Sequence, residues 1–528
     1  GYEDPAGGGS GGGSNWWDDD EGGGVNGGNP QQCLIAEPGT PFPFGEPLHG
    51  SASTVSTYPM PGFSENASGS ATLTSVSLAS LSVGNPIHVV TGNKFQAETD
   101  IGALPGKLSI EFRRYYNSSA VNGPSILGAG WRHGYQASLR LRDDGSVQIV
   151  QADGRLVRFH CTRDGARFVA RRAGDGMVLA EAGLFKWMTP DGRELSFDRA
   201  GKLLRIEAHG AVISLSYDDR GELQHVEDSQ GRKLQFEYYP NGRLERVRGP
   251  GVAVRYVYDS VGNLAMAVAN DGRARRYTYS DHRHPHHLTG ISVGNVRLRT
   301  YGQRTAFERV ASWAYDERGR AVHSSHPADV GKVSLDFRDG YTEVTDAFGR
   351  KTRYMTGWRG DVAYVNDVRG PGCGVCGAGD AQYRYDDRFQ LIERSRANEP
   401  KLFYAYDELG RLVRIERDVK GRREWLVRYA YDGETFRVAR IERPSVKPDA
   451  VALIEFTYSD GLLVRRLEKG FEPVRSGYSP IQREVSYTYD SRKLLRRIDG
   501  PRSDVQDWID LDYDVAARLV GIRSRDGE

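Results

Sequence analysis

The segment Tyr404–Leu412, with the sequence YAYDELGRL, decides the fold of this chain. Its first residues alternate aromatic and small side chains, which is the two-residue period of a β-strand. A polar turn follows, in which Asp407 offers a hydrogen-bond acceptor and Gly410 suits a left-handed backbone position. The last residues begin a second strand. The segment therefore predicts a β-hairpin with Tyr404 and Tyr406 on one face.

The same pattern recurs through the C-terminal part of the sequence. Each unit has a tyrosine, usually followed by aspartate, and then a turn and a return strand. Units follow one another at a spacing of about 20 residues at first and about 25–30 later, which indicates a repeat architecture. Insertions such as Pro444–Pro448 lengthen the later units. The repeat tyrosines are Tyr217, Tyr238, Tyr258, Tyr279, Tyr315, Tyr385, Tyr406, Tyr431, Tyr458, Tyr489 and Tyr513.

A single hairpin of this kind is only marginally stable alone. Successive hairpins must therefore pair edge to edge into one long sheet. The tyrosine rings would cover their neighbours across that sheet. No long helical stretch is available to cover it, so we expect the sheet to curl and enclose a space. The predicted fold class is all-β, with repeat hairpins forming a spiralling sheet behind a flexible Gly-rich N-terminal tail.

The composition excludes several classes of protein. Lys and Arg total 71 and Asp and Glu total 70, with no concentrated basic block. This balance argues against a nucleic-acid partner, which needs a basic face. No apolar run of about 18 residues exists, so we expect no membrane span. The chain begins without Met or a signal peptide, and we interpret this start as a processed or trimmed end.

Residues 1–83 read as a low-complexity tail and linker rich in Gly and Ser. Such a composition is typical of flexible coil. Ordering it would cost backbone entropy, and burial of its side chains would not offset that cost. One aromatic and acidic island, Trp16–Glu21, interrupts the tail. It is a candidate docking tag for another protein. A cation site at Asp18–Glu21 is a weaker alternative, since four adjacent acids rarely converge on one ion.

Residues 84–160 differ in character from the tail and from the repeats. Leu108, Ile110 and Phe112 alternate with polar residues, which predicts a half-buried strand. The Asp-Gly pair at Asp144 and Gly145 lies between alternating apolar runs, which is a strong hairpin signal. We therefore predict a separate β module at residues 84–160, followed by repeats over residues 161–528.

Four blocks of this module carry a resemblance to a known family. They are GNPIHVVTGNKFQ from Gly84, FRRYYNSS from Phe112, LGAGWRHGY from Leu127 and ADGRLVRF from Ala152. In this order and spacing they resemble the N-terminal module of bacterial Rhs (rearrangement hot spot) proteins, which precedes a YD-repeat shell.

The repeats extend the resemblance to about residues 84–528. Three segments are similar to the middle of the bacterial Rhs core, namely His284–Ile291, Trp313–His326 and Val344–Tyr354. The units themselves are similar to the YD repeats of Rhs proteins, the toxin-complex C component and teneurins. In those families the repeats form a hollow β shell, so the resemblance implies the same architecture here.

The resemblance also implies a function. It implies a non-enzymatic shell, secreted or at the cell surface, that encapsulates and helps deliver a C-terminal effector in competition between bacteria. The expected partners are the chain's own effector or a secretion machinery, with no cofactor. The closing segment and autocleavage site of an Rhs core are not found before residue 528, so neither autoproteolysis nor a toxin activity is carried over. The alternative is an extracellular structural or adhesive protein that self-assembles into a fibre or surface layer.

Cys373 and Cys376 form a CxxC motif in a Gly-rich turn. Such a motif can be a short disulfide, a pair of free thiols or half of a zinc site. The second half of a zinc site is missing, since Cys33 and Cys161 stand alone in the sequence. We therefore favour a disulfide and keep a metal site, completed by a histidine from another strand, as the alternative.

A second candidate is the histidine cluster of Asp281–His287. Histidine tracts can bind metal, but its position predicts an ordinary hairpin loop, and we favour that interpretation. No GxSxG, P-loop, Rossmann or HExxH motif is present. The many neighbouring carboxylates are explained as turn residues, so we predict no catalytic residue. A carbohydrate-active enzyme with paired acids is a weaker hypothesis.

Overall fold

The computed structural model describes residues 82–524, apart from 105–107, 109, 124, 164, 166, 171, 182, 209, 297–306, 360–361, 374–376, 503–505 and 516. The predicted island Trp16–Glu21, together with Cys33 and Cys376, lies outside the described residues. The described part contains no α-helix, so the all-β prediction is confirmed. Its three single-turn 3-10 helices are Ser118–Ala120, Ala173–Asp175 and Pro327–Asp329.

The N-terminal module begins with two small antiparallel sheets. The first pairs β1 (Ser82–Val83) with β2 (Ile87–His88), and the second orders β3 (Phe95–Ile101), β4 (Phe112–Asn117) and β5 (Trp131–His133). The prediction of a half-buried strand here is wrong, because β4 is buried on both faces. Tyr115 packs against Phe95 on one side, and Tyr116 packs against Trp131 on the other, with ring centroids 6.0 and 5.4 Å apart.

One long antiparallel sheet then runs through the rest of the described chain, with sequence neighbours paired side by side. Its first part contains β6 (Ser138–Leu141), β7 (Val147–Val150), β8 (Leu156–Cys161), β9 (Phe168–Ala170), β10 (Met177–Glu181), β11 (Leu184–Met188), β12 (Glu194–Phe197), β13 (Leu203–Ala208), β14 (Ala211–Tyr217), β15 (Leu223–Asp228), β16 (Lys233–Tyr238), β17 (Leu244–Gly249), β18 (Val252–Tyr258), β19 (Leu264–Ala269), β20 (Arg273–Thr278), β21 (Gly290–Asn295), β22 (Glu308–Tyr315), β23 (Ala321–Ser325), β24 (Val333–Arg338), β25 (Tyr341–Asp346), β26 (Lys351–Arg359) and β27 (Val362–Arg369).

A small separate hairpin interrupts the series, formed by β28 (Gly372–Cys373) and β29 (Gly377–Ala378). The long sheet resumes with β30 (Ala381–Tyr385), β31 (Leu391–Arg396), β32 (Leu402–Tyr406), β33 (Leu412–Val419), β34 (Arg422–Tyr431), β35 (Val438–Pro444), β36 (Val451–Ser459), β37 (Leu462–Val474), β38 (Gly477–Tyr489), β39 (Leu495–Asp499), β40 (Ile509–Tyr513) and β41 (Leu519–Ser524). The long sheet is continuous across residue 160, because β6, β7 and β8 are its first strands. Below, the N-terminal module therefore means residues 82–133, which carry β1 to β5.

The repeat turn has the chemistry that the sequence predicts. One Asp407 carboxylate oxygen accepts the backbone N–H of Arg411 at 2.9 Å, and the other accepts its guanidinium at 2.7 Å. Gly410 has a φ of +80°, a left-handed value that glycine adopts without steric cost. The aspartate makes the same bond to a turn N–H in other units, at Asp218, Asp259, Asp316, Asp386, Asp490 and Asp514.

The hairpins also carry a β-bulge at the repeat tyrosine. Tyr406 pairs with Leu412, whereas Ala405 pairs with Arg414, so Val413 has no opposite residue. A bulge bends its strand and increases the local twist. The same register shift recurs at most of the repeat tyrosines, although not at Tyr279, so most units add curvature in the same way. It falls at Tyr217, Tyr238, Tyr258, Tyr315, Tyr385, Tyr431, Tyr458, Tyr489 and Tyr513.

The tyrosine hydroxyl links each unit to the one before it. Tyr406 Oη donates to the carbonyl of Leu391 at 2.9 Å, and Leu391 opens the return strand of the preceding hairpin. We call this series of bonds the tyrosine ladder. Its other donor and acceptor pairs are Tyr217 and Leu203, Tyr238 and Leu223, Tyr258 and Leu244, Tyr279 and Leu264, Tyr315 and Leu288, Tyr385 and Val365, Tyr431 and Leu412, Tyr458 and Val438, and Tyr489 and Leu463.

The sheet coils over itself, which confirms the predicted spiral. Gln230 Nε2 donates to the carbonyl of Arg492 at 3.4 Å, across 262 residues of sequence. The turn at Gly210 is similarly tight against the turn at Asp460, whose carbonyl oxygen would lie 2.6 Å from any added Cβ. Hairpin tips of one passage of the sheet therefore contact hairpin tips of a later passage.

The tyrosine ladder makes a direct stability prediction. We expect Tyr406→Phe to lower the free energy of unfolding by about 0.5–1.5 kcal/mol, because it removes one hydrogen bond from a half-buried carbonyl. Tyr404→Phe is the matched control, since Tyr404 lies on the same strand face and its hydroxyl has no hydrogen-bond partner in the described part of the chain. Urea unfolding measures both variants. Equal losses would contradict a special role for the ladder.

Candidate functional site: the inner face of the coiled sheet

The N-terminal module packs on the apolar face of the long sheet. Trp131 is fully buried and meets Tyr277 of β20 edge to face, with ring centroids 4.9 Å apart. Phe112 meets Phe236 of β16 in the same manner at 5.7 Å. Module and sheet residues belong to one continuous hydrophobic core. The module therefore fills the space that this part of the sheet curls around.

A buried ion pair fixes the module at the centre of this contact. Arg114 Nη2 donates to Asp100 and to the hydroxyl of Tyr277, both at 2.8 Å. Tyr256 donates its hydroxyl to the same carboxylate at 2.7 Å. The guanidinium also lies 4.9 Å from the ring centre of Trp131, in cation–π geometry. Two sheet tyrosines thus complete a charge pair that belongs to the module.

The burial of this pair has electrostatic consequences. Burial lowers the pKa of Arg114, but Asp100, Tyr277 and Tyr256 together outweigh burial and raise that pKa well above its usual value. Burial, followed by the Asp100 charge, raises the pKa of Tyr256. The guanidinium therefore stays charged and the phenol stays a neutral donor. The geometry positions the module on the sheet.

A second set of contacts ties the start of the module to later strands. The carbonyl of Asn85 accepts the indole N–H of Trp313 at 2.7 Å, and its N–H donates to Ser324 at 3.2 Å. The ammonium of Lys94 lies 4.1 Å from the ring centre of Trp313 and donates to Asn85 and Gln96 at 2.8 and 2.9 Å. Burial lowers the pKa of Lys94 well below its usual value. Contacts at both of its ends hold the module against the sheet.

The module covers only part of the apolar face of the long sheet. Tyr256 and Tyr277 are buried beneath it, at 0% and 3% exposure. From β33 onward, Val427, Val438, Ile441, Phe456 and Leu463 form a second buried cluster, whereas the aromatic and aliphatic residues that pack against it are only partly buried. We call these residues the open aromatic face. They include Ile415, Tyr429, Tyr431, Ile454, Tyr458 and Tyr487.

The opposite face of these strands is charged. On β34, Arg428 alternates with Val427 and Tyr429 and is exposed where they are buried or partly buried. Arg440 pairs with Glu442 at 2.6 Å, on the same side as Arg428. Exposed pairs of this kind add little stability, but they keep a surface soluble. The sheet is therefore amphipathic, with an apolar side toward the module and a charged side away from it.

The predicted cysteine site remains a prediction. Cys373 lies in β28, where its backbone pairs with Gly377, and Cys376 is outside the described residues. The described residues contain no group of three or more His, Cys, Asp or Glu side chains arranged to hold a metal. Cys161, at the exposed end of β8, is disulfide-bonded. The sequence analysis missed this bond because Cys161 has no cysteine near it in the chain.

The histidine cluster lies in the loop between β20 and β21. His284 and His287 stack with ring centroids 4.8 Å apart, and His287 meets Tyr315 edge to face at 4.7 Å. Nε2 of His284 lies 2.9 Å from the carbonyl of Asp316, and Nδ1 of His286 lies 2.6 Å from Asn263. Burial, and then the neighbouring His284, lower the pKa of His287 to about 4. These contacts support the loop interpretation of the cluster.

Comparison with known proteins agrees with this architecture. Residues 84–159 match the family model of a domain of unknown function (DUF6531). Residues 186–322 match the family model described as the teneurin YD-shell. These two matches support an Rhs/YD-repeat protein. No helix in the described part of the chain is both long and apolar enough to cross a membrane.

Similar individual proteins are toxins or toxin components. A 167-residue segment is 30% identical to double-stranded DNA deaminase toxin A of Burkholderia cenocepacia (strain H111), covering 30% of this chain and 10% of that protein. The crystal structure of TcdB2-TccC3-TEV shares 14% identity at a TM-score of 0.42, over 74% of this chain and 23% of that one. The Photorhabdus luminescens Tc holotoxin pore shares 13% identity at a TM-score of 0.43, over 83% and 27%.

The buried ion pair gives the prediction for this site. We expect Arg114→Met to cost about 3–5 kcal/mol of unfolding free energy, because it leaves the Asp100 carboxylate buried and unpaired. The double variant with Asp100→Leu removes that stranded charge, and we expect it to recover much of the loss. Urea unfolding followed by tryptophan fluorescence measures both. A single variant within about 1 kcal/mol of wild type would contradict the account of the ion pair.

Proposed function

We propose that this chain is a non-enzymatic shell that encloses an effector polypeptide and helps deliver it in competition between bacteria. The observation that carries the proposal is the division of the apolar face into two parts. The module packs on the early strands, whereas Tyr431, Ile454, Tyr458 and Tyr487 of the later strands are only partly buried beside a second, smaller core cluster in the described structure. A polypeptide held inside the coil would contact this uncovered part.

The chemistry of the open aromatic face suits an unfolded chain. Tyr429, Tyr431 and Tyr458 present rigid, largely apolar rings that can contact many side chains without a fixed sequence. Burial raises the pKa of Tyr458 to about 12, so the phenol is neutral at ordinary pH. Such a wall sequesters a polypeptide without a chemical step. The toxin among the relatives supports an effector as the enclosed polypeptide.

We further propose that the protein works outside the cytoplasm, either secreted or at the cell surface. The disulfide at Cys161 supports this location, because disulfides persist mainly in oxidising compartments. The partners under this proposal are the effector and the machinery that exports the shell.

A second candidate function is self-assembly into an extracellular fibre or layer. Exposed apolar residues near the end of the sheet favour it, namely Val515, Leu519, Val520 and Ile522. Val520 of β41 is 66% exposed. Apolar residues on exposed strands are a common surface for association between copies. Electron microscopy of the purified protein separates the two functions, since filaments would contradict delivery and isolated hollow particles would contradict the fibre.

The encapsulation proposal is tested by protease protection. We expect a small unfolded reporter polypeptide fused after Glu528 to resist digestion while the shell stays intact, because the coil encloses it. The matched control carries the same reporter before Gly1, where we expect rapid digestion. Gel analysis over a time course of protease measures both fusions. Equal digestion of the two reporters would overturn encapsulation.

A further inference from the structure

Two histidines of the N-terminal module are buried, and each lacks a bonding partner at one ring nitrogen. His88 lies in β2 and is 3% exposed, and His133 lies in β5 and is 1% exposed. Nε2 of each ring is buried and has no hydrogen-bond partner in the described part of the chain. A buried polar atom without a partner is costly, so its presence in two places calls for an explanation.

The other ring nitrogen of each histidine is already an acceptor. Nδ1 of His88 accepts the backbone N–H of Thr91 at 3.2 Å, and Nδ1 of His133 accepts the backbone N–H of Tyr135 at 3.2 Å. Each Nδ1 is therefore unprotonated, and the single proton of the neutral ring lies on Nε2. An imidazolium carries a proton on both nitrogens, so it would lose this bond and point one N–H at another. The local backbone therefore accepts only the neutral ring.

His133 lies between aromatic rings of the module and of the long sheet. Its ring centre lies 5.2 Å from that of Phe112 in β4 and 5.7 Å from that of Phe236 in β16. Its partner in the β4–β5 pair is Arg114, whose guanidinium is already bonded to Asp100. A charge on His133 would therefore lie in an apolar contact, opposite an ion pair that is already complete.

The charged groups that act on the two rings oppose their protonation. Burial, followed by the charge of Arg172, lowers the pKa of His88 to about 4. Burial, followed by the charge of Arg132, lowers the pKa of His133 to about 3. Within the described residues no carboxylate raises either pKa.

The carboxylates that act on the groups around these rings are engaged elsewhere. Asp153 and Asp175 act on Arg132 and Arg172, and Glu111 and Asp228 act on Tyr135. Their bonds are those of Glu111 to Arg113 at 3.5 Å, Asp228 to Arg232 at 2.7 Å, Asp175 to Arg155 at 2.5 Å, and Asp153 to the backbone N–H of Arg155 at 3.0 Å. A histidinium at either position would therefore meet no free carboxylate among them.

We propose that His88 and His133 act as an acid-sensitive switch, and that their protonation releases the N-terminal module from the long sheet. Both rings lie where the module is held. His133 contacts Phe236 of the sheet, and His88 precedes Val89, whose carbonyl accepts the hydroxyl of Thr342 in β25 at 2.6 Å. Protonation therefore acts on two points of the contact at once. The switch does not depend on what the shell encloses.

The direction of the switch follows from proton linkage. A released histidine regains its ordinary pKa of 6.5, whereas in place the values are about 4 and about 3. A lowered pKa means that the contact has its full stability above pH 6.5 and loses it as the pH falls toward 4. Two histidines that leave together take up about two protons, which makes the release steep in pH.

Hydrogen exchange of the full chain at about pH 7 and about pH 5 tests the proposal. Mass spectrometry compares peptides of Phe112–Asn117 in the module with peptides of Leu412–Val419 in the sheet. Exchange times are corrected for the intrinsic effect of pH. We expect the module peptides to lose protection about ten-fold or more at the lower pH, whereas the sheet peptides keep theirs.

A double variant separates the two histidines from other effects of acid. In His88→Asn with His133→Asn, the side-chain oxygen can accept the bond that Nδ1 accepts, and the side chain does not titrate. We expect this variant to keep its module protection at about pH 5. His160→Asn is the matched control, because His160 is exposed on β8, and it should lose module protection as the wild type does.

The remaining outcomes also decide the question. Module peptides of the wild type that stay protected at the lower pH, or module and sheet peptides that lose protection together, overturn the proposal. If the double variant lacks module protection even at neutral pH, the wild type decides alone. The logarithm of its module protection should then change with pH by about two per unit between pH 6 and pH 5, and a slope of one or less contradicts a switch of two histidines.

Discussion

The hydrogen bond from each repeat tyrosine to the return strand of the preceding unit is the constraint on which the rest of the structure depends. It ties Tyr406 to Leu391, and the same bond recurs along the sheet. At the same tyrosine, a β-bulge shifts the register of strand pairing. In most units, one residue therefore both connects neighbouring hairpins and bends them. Repetition of that bend turns a linear series of hairpins into a coil.

Coiling places the two faces of the sheet in different environments. The apolar face is first filled by the N-terminal module, which is fixed by the Arg114 and Asp100 pair and by Tyr256 and Tyr277. Further along, the same face holds a smaller buried cluster, and the residues packed around that cluster are only partly buried. In such a shell the module covers the early strands, and the later strands are left to hold a second polypeptide. The proposed function follows from this division of one continuous surface.

The sequence predicted the local features well and the long-range ones poorly. Hairpins, Asp407 turns and Gly410 conformations depend on residues a few positions apart, so a pattern of residues suffices. The ladder acceptor was missed, although in the early units a leucine 14 or 15 residues before the tyrosine carried a signal for it. The contact between Arg114 and Tyr277 spans 163 residues, and no local pattern encodes it.

Alkaline titration tests the tyrosine ladder most directly. Burial raises the pKa of Tyr458 and Tyr489 from 10.0 to about 12. A raised folded-state pKa means that unfolding releases protons above pH 10, so the stability is complete below pH 10 and is lost as the pH rises toward 12. We predict that tyrosinate absorbance and loss of the β circular-dichroism signal appear together in that window. Ionisation of these tyrosines near pH 10 with the β signal intact would contradict the account.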